Sequence, residues 1–163
     1  MQCKELIEWK CCYERQLIGA GPEVATAREY MLRWKTNVES APCFQKQGGY
    51  KFCSTLYLNG DGMGRGTHVS LFFVVMRSEY DALLQWPFSE RVTFRLINPY
   101  NKAESLQETF IPDKNSSSFK RPTKDMNIAA GCPMFIRKDK LPQFIVDDVL
   151  YIETIITAVQ SPQ

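Results

Sequence analysis

The chain has 163 residues, enough for one domain with a substantial hydrophobic core. Its formal net charge of +2 gives no basic excess of the kind that favours nucleic acid or an anionic membrane surface. No stretch approaches the roughly 18 unbroken apolar residues of a membrane span. We therefore expect neither a nucleic-acid partner nor membrane insertion.

Export and metal binding are also disfavoured. The first twelve residues mix acids and bases without an apolar stretch, which is not the pattern of a secretory signal. An even number of cysteines, six, is compatible with disulfides, but Cys53 lies within a strand pattern and Cys11 and Cys12 are adjacent. These features favour reduced cysteines in a cytoplasmic protein. With one histidine and no Cys-x-x-Cys pair, no metal or other cofactor is expected.

The first third of the chain gives weak patterns. Residues 1–18 are predicted to form a short helix, because apolar residues recur there at spacings of three and four. This helix is either a coiled-coil remnant or a frayed tail, and residues 19–28 are predicted to be a linker. Residues 23–35 are compatible with a helix or a first strand, and the polar segment after them allows only a short extended piece around Phe44. The main domain is predicted at 29–160.

A long β-hairpin is predicted at residues 49–77. Two runs of apolar, β-branched and aromatic residues flank the loop NGDGMGRG, whose composition favours a chain reversal. In the second run Val69, Leu71, Phe73 and Val75 share one face, because side chains alternate along a strand. The other face carries His68, Ser70, Phe72, Val74 and Met76. A strand that is apolar on both faces is central in its sheet or has its outer side covered.

Further short segments complete an all-β pattern. They are a helical turn at 78–84 capped by Ser78 and Asp81, strands at 92–96, 106–111, 133–136 and 149–157, and a polar loop at 115–119. Short strands at regular spacing predict an antiparallel β-sandwich of about seven to eight strands, with a short N-terminal helix.

No catalytic constellation is evident. His68 invites a hydrolase triad, but it lies within a strand pattern and no Gly-x-Ser-x-Gly elbow accompanies it. The glycines between 60 and 66 fit neither dinucleotide-binding nor Walker spacing, and a strand follows them. The adjacent aspartates at 147 and 148 would face opposite ways on a strand, so a turn is the simpler interpretation. We expect a protein that is not an enzyme.

Three long segments resemble a known family. YLNGDGMGRGTHVSLFFVVMR, EYDALLQWPF and NSSSFKRPTKDMNIAAGCPMF are similar to the C-terminal TRAF, or MATH, domain of the tumour-necrosis-factor-receptor-associated factors. The resemblance runs in order from about residue 49 to residue 156. Upstream, residues 32–35 and 40–44 are similar to two early family segments, but the longer stretch that separates those segments in the family is reduced to a few residues here.

The resemblance implies an adaptor without catalytic activity. Family members form a sandwich of about eight strands, usually as a trimer joined by an upstream coiled coil, of which residues 1–18 would be a remnant. An extended receptor-tail peptide lies at an outer edge, held by main-chain pairing and side-chain pockets. The implied partners are cytoplasmic tails of TNF-receptor-type receptors, or other adaptors.

The resemblance also implies a set of peptide-binding residues. These are Thr55, Tyr57, Asp61, Phe72, Phe110, Ser116, Ser117, Ser118, Ala129, Ala130 and Gly131. The phenylalanines match an apolar pocket floor, the serines match hydroxyls that hold a peptide glutamine, and Gly131 with Ala129 matches a backbone contact.

Two positions depart from the family pattern. Receptor-binding members carry an arginine at the place of Thr55 and a serine at the place of Ala130. Loss of the arginine is predicted to weaken binding of an acidic peptide ~10- to 150-fold. The alternative function is a structural or assembly module whose groove is no longer used for receptors.

Overall fold

The computed structural model describes residues 2–10, 37–40, 42–147 and 149–159. These residues form the predicted antiparallel β-sandwich. The strands are β1 (Gln2–Lys10), β2 (Asn37–Glu39), β3 (Cys43–Phe44), β4 (Lys51–Tyr57), β5 (His68–Met76), β6 (Arg91–Leu96), β7 (Leu106–Phe110), β8 (Ala130–Arg137) and β9 (Val149–Thr157). Short 3-10 turns occur at Gly62–Gly64, Asp81–Leu83, Lys102–Glu104, Ser117–Phe119 and Leu141–Phe144. None of the described residues belongs to a helix long and apolar enough to cross a membrane.

The two sheets are built from different parts of the chain. One sheet has the strand order β1-β9-β6-β7, and the other has the order β2-β4-β5-β8, with β3 also paired to β4. Of the two alternatives for the strand at 68–76, the structure shows the central position, because β5 lies between β4 and β8. The predicted shared face of Val69, Leu71, Phe73 and Val75 is the inner one, since these residues are at most 1% exposed. They pack with the fully buried Phe94 in the core between the sheets.

The predicted N-terminal helix is wrong for Gln2–Lys10, which form strand β1. This strand pairs along its whole length with β9, from Gln2 opposite Thr157 to Lys10 opposite Val149. An isolated helix of this length is marginal, whereas the edge of β9 offers main-chain partners for every second residue. Residues 11–36, which include the rest of that helix and the predicted linker, lie outside the described part.

Two local predictions are confirmed at the ends of strands. The backbone N–H of Ser78 donates to Asp81 Oδ2 at 3.1 Å, and the Ser78 hydroxyl donates to Asp81 Oδ1 at 3.2 Å. These two hydrogen bonds, both donated by Ser78 to the Asp81 carboxylate, close the predicted turn after β5. Asp147 has a φ of 49°, which is compatible with the predicted turn before β9.

The outer strands on one side of the sandwich are β7 and β8, one from each sheet. Strand β8 is longer than the predicted segment at 133–136, because its first residues also pair with β5. In the described part of the chain β8 pairs with β5 alone, so its other edge has unpaired main-chain groups. This edge is where an added strand has room to pair.

Candidate functional site

A row of residues that are opposite one another across the second sheet ends at β8, the strand with the open edge. Thr55 in β4 is opposite Phe72 in β5, and Phe72 is opposite Gly131 in β8. On the other side of Thr55, Glu39 of β2 completes the row. We call Glu39, Thr55, Phe72 and Gly131 the outer row. Three of these four positions were predicted from the family resemblance.

Phe72 belongs to the outer face and not to the core. It is half-buried, and its ring meets Tyr57 in an edge-to-face contact with centroids 5.6 Å apart and planes at 88°. Such pairs are favourable beyond the area that they bury. Two predicted residues therefore form an aromatic pair on the outer face, with Phe72 on β5, next to β8, and Tyr57 on β4, one strand further away.

Gly131 allows β8 to lie close against β5. A Cβ atom at this position would be 2.6 Å from the Leu71 carbonyl oxygen and 3.0 Å from the Phe72 Cα. Any side chain here would push the strands apart. Ala130, opposite Phe73, and the preceding Ala129 are small, half-buried residues, and Ala130 packs against the core.

The three predicted serines differ in exposure and in hydrogen bonding. The Ser116 hydroxyl accepts a hydrogen bond from the Ser118 N–H at 3.2 Å, and Ser118 is buried. Ser117 is exposed, and no hydrogen bond of its hydroxyl is found within the described residues. Ser117 is therefore the hydroxyl available to a ligand, and Ser116 shapes the turn that presents it.

The serine loop is tied to the segment that leads into β8. The Asn127 side chain donates to the carbonyl oxygens of Ser118 at 3.0 Å and Lys120 at 2.7 Å. The Asn127 N–H donates to the Val75 carbonyl oxygen at 2.9 Å. One asparagine thus connects the serine loop, β5 and the approach to β8.

Phe110 lies at the margin of the core. Its ring centroid is 6.0 Å from that of the buried Phe94 and 6.2 Å from that of Phe119, the residue after the serines. Since Phe110 remains half-buried, it can support the serine loop and still offer part of its ring at the seam between β7 and β8.

Asp61 is connected to β8 through Ser70. The Asp61 N–H donates to the Ser70 hydroxyl at 2.8 Å, and that hydroxyl donates to the Pro133 carbonyl oxygen at 2.5 Å. The Asp61 carboxylate accepts from Arg65 at 3.1 Å, and this hydrogen bond lowers the pKa of Asp61. The Asp61 carboxylate is thus already paired with a cationic side chain of this chain, Arg65.

Sequence reasoning missed two features of this surface. Glu39 was missed because its place depends on the register of a three-residue strand. Exposed apolar side chains precede and follow the start of β8, namely Met126 (40% exposed), Ile128 (73%) and Met134 (51%). The alternation of Met126, Ile128 and Ala130 was a signal for an extended, half-exposed segment.

The described residues bring no catalytic group together. His68 Nδ1 is 2.8 Å from the Thr67 hydroxyl, which fits the predicted hydrogen-bonded strand histidine. No cluster of three or more His, Cys, Asp or Glu side chains that could hold a metal ion occurs in the ranges that the structure describes. Burial raises the pKa of Cys132, which lies in β8, to about 11, so this thiol is a weak nucleophile at neutral pH.

Comparison with known proteins gives consistent results. The family model "TRAF/meprin, MATH domain" matches residues 35–153. TNF receptor-associated factor 2 of Homo sapiens is 51% identical over 148 residues, which are 88% of this chain and 29% of that protein. TNF receptor-associated factor 5 of Mus musculus is 45% identical over 147 residues, which are 87% of this chain and 26% of that protein.

A solved structure of TRAF5 from Notothenia coriiceps has a TM-score of 0.81 and 32% identity. The match covers 99% of this chain and 76% of that one. The chain spans only about a quarter of the length of the curated relatives, 26% and 29% of the two named above. Since the family model covers most of the sandwich, the chain belongs to the TRAF/meprin MATH domain family.

Proposed function

We propose that this domain is a signalling adaptor module that binds an extended peptide along the open edge of β8. The observation that carries the proposal is the coincidence of that edge with the Phe72–Tyr57 aromatic pair and the exposed Ser117. Strand addition needs an unpaired edge for main-chain hydrogen bonds and pockets for alternate side chains. The unpaired edge lies on this side of the sandwich, and the Phe72–Tyr57 pair and Ser117 are the proposed contacts for peptide side chains.

The proposed ligands are cytoplasmic tails of TNF-receptor-type receptors, or other adaptors, with a Pro-x-Gln-x-Glu/Thr-like sequence. The names of the relatives, TNF receptor-associated factors, support this class of partner. A cytoplasmic location is part of the proposal and is supported by Cys53 and Cys132, which form no disulfide within the described residues. Single sites of this kind bind with roughly micromolar to sub-millimolar affinity, and a homotrimer would raise the effective affinity.

A second candidate function is a structural or assembly module with a degenerate groove. Thr55 is only 3% exposed, and its neighbour Glu39 presents a carboxylate where a peptide acid would need a cation. Glu39 has no ion pair within the described residues. The outer row therefore has no cationic side chain to pair with an acidic residue of a peptide. For acidic peptides, this favours the structural or assembly module.

Titration of a Pro-x-Gln-x-Glu peptide separates the two candidates. We expect binding in the micromolar to sub-millimolar range, with localised changes in the amide NMR signals of β8. Ser117→Ala should weaken binding about 2- to 10-fold, the effect of one lost hydrogen bond. Arg91→Gln, on the outer face of the other sheet, is the matched control and should bind as the wild type does. Absence of binding at millimolar peptide, or no change of the β8 amides, would favour the assembly module.

A further inference from the structure

A groove of about 310 Å³ lies on the outer face of the sheet that contains β6, β7 and β9. It is separate from the outer row, which belongs to the other sheet. Its lining includes Arg91, Thr93 and Arg95 from β6, Thr109 from β7 and Ile155 from β9. Two arginines stand on the same strand face with a threonine between them, because side chains alternate along β6.

The two arginines have unused hydrogen-bonding capacity. Arg91 is exposed, and no carboxylate pairs with it in the part of the chain that the structure describes. Arg95 forms an ion pair with Glu153 Oε2 through Nη2, but within the described residues neither its buried Nε–H nor that buried oxygen has a hydrogen-bond partner. An unsatisfied buried donor is unfavourable, and an acceptor placed in the groove would relieve it.

The threonines supply a further donor. The hydroxyls of Thr93 and Thr109 are 2.8 Å apart, so one of them donates to the other. Each hydroxyl carries one hydrogen, and the second hydrogen of the pair is left for another acceptor. The groove thus offers the Arg91 guanidinium, the Arg95 Nε–H and one hydroxyl hydrogen, whereas its nearby carboxylate, Glu153, is already paired with Arg95.

We propose that this groove binds a phosphate group, with Arg91 as the main anchor and Arg95 and the Thr93–Thr109 pair as further donors. A guanidinium fork matches two phosphate oxygens, and the remaining oxygens can accept from the other donors. A carboxylate has only two oxygens and would leave part of this donor set unused. The phosphate can be inorganic or the ester of a phosphoserine side chain, since both present the same oxygens.

The test is a titration followed by amide NMR on the whole chain, with inorganic phosphate at constant ionic strength. We expect saturable shifts confined to amides of β6, β7 and β9, and at least tenfold weaker binding in Arg91→Gln. Arg77→Gln is the matched control, because Arg77 is an exposed arginine outside the groove, paired with Asp125 at 3.5 Å. The unperturbed signals of β4 and β5 report that each variant is folded.

Two further titrations identify the ligand class and its source. Acetate should bind at least tenfold more weakly than phosphate, and equal binding of the two would overturn the phosphate assignment. A phosphoserine peptide that binds more tightly than inorganic phosphate at the same amides would identify a phosphoprotein as the source, and equal affinity would identify the free ion. Shifts spread over all surface arginines, or unchanged in Arg91→Gln, would refute the site.

Discussion

Thr55 in β4 lies directly opposite Glu39 in β2. Glu39 is the only charged residue of the outer row, so this pair of positions determines the charge of the row. An arginine at position 55 would supply a cation, but the Glu39 carboxylate would compete for it. We predict that the double variant Thr55→Arg/Glu39→Gln binds a Pro-x-Gln-x-Glu peptide ~10- to 150-fold more tightly than the wild type. Thr55→Arg alone should gain less. Fluorescence anisotropy measures both, and equal affinities of wild type and double variant would contradict the prediction.

The buried thiols give a second prediction at the residue scale. Burial raises the pKa of Cys53 and of Cys132 to about 11, and the carboxylates of Glu39 and Glu108 respectively add to the effect. Below that pKa each thiol is mostly protonated, and its thiolate fraction rises about tenfold per pH unit. We predict that iodoacetamide modifies both cysteines roughly 100-fold more slowly at pH 8 in the folded protein than in urea.

Peptide mass spectrometry resolves the two modification rates. In Glu39→Gln the pKa of Cys53 should fall and its rate should rise, while Cys132 reacts as before. Equal rates in the folded and unfolded states would show that burial does not control these thiols.

Single residues were predictable where their role depends on nearby sequence. Alternation along β5 predicted which side chains share a face, and the spacing of Ser78 and Asp81 predicted the capped turn. Glu39 was not predictable, because its place opposite Thr55 depends on the register of a three-residue strand. The attachment of the serine loop was not predictable either, because the Asn127 hydrogen bond to the Ser118 carbonyl oxygen joins residues that no local pattern connects.

At the scale of elements, the hairpin loop and β8 are joined at a close backbone contact. A Cβ atom at Gly64 would lie 1.8 Å from the Pro133 carbonyl oxygen, so the loop must move if glycine is replaced. We predict that Gly64→Ala lowers the free energy of unfolding by roughly 1–3 kcal/mol, and that β8 shifts with it. Urea denaturation measures the loss.

Gly62 provides the control for this prediction. It has a φ of +54°, but nothing lies within 4 Å of an added Cβ. Gly62→Asn should be nearly neutral, because asparagine tolerates this conformation. A loss in Gly62→Asn as large as in Gly64→Ala would show that loop conformation, and not contact with β8, is what matters.

Strand β1 shows where element prediction from sequence fails. Its residues have helix-compatible spacing, and a segment of this length gives little periodic signal. Its conformation is determined by the edge of β9, which is contributed by residues about 150 positions away. The long hairpin was predictable because its turn chemistry and strand composition agree locally, whereas β1 takes its structure from a distant partner.

At the scale of the whole molecule, the proposed function depends on whether the chain forms an oligomer. Residues 2–10 are used in the sandwich as β1, so they do not supply the coiled coil that the family resemblance implied. Each site alone is expected to be weak, and three linked sites can gain about 10²- to 10⁴-fold in avidity when the geometry allows simultaneous binding. The proposed function therefore depends on the oligomeric state.

We predict that the intact chain sediments at equilibrium as a trimer, and that a scaffold carrying three copies of the peptide binds at least ~100-fold more tightly than one copy. A scaffold with one active and two scrambled peptides is the control and should bind like the single peptide, because only one site is engaged. Ser117→Ala should weaken the trivalent ligand more than the monovalent one, since each of the three contacts loses a hydrogen bond. If the chain is a monomer and binds the trivalent scaffold no more tightly than the single peptide, avidity does not contribute. Each β8 edge would then bind its peptide independently.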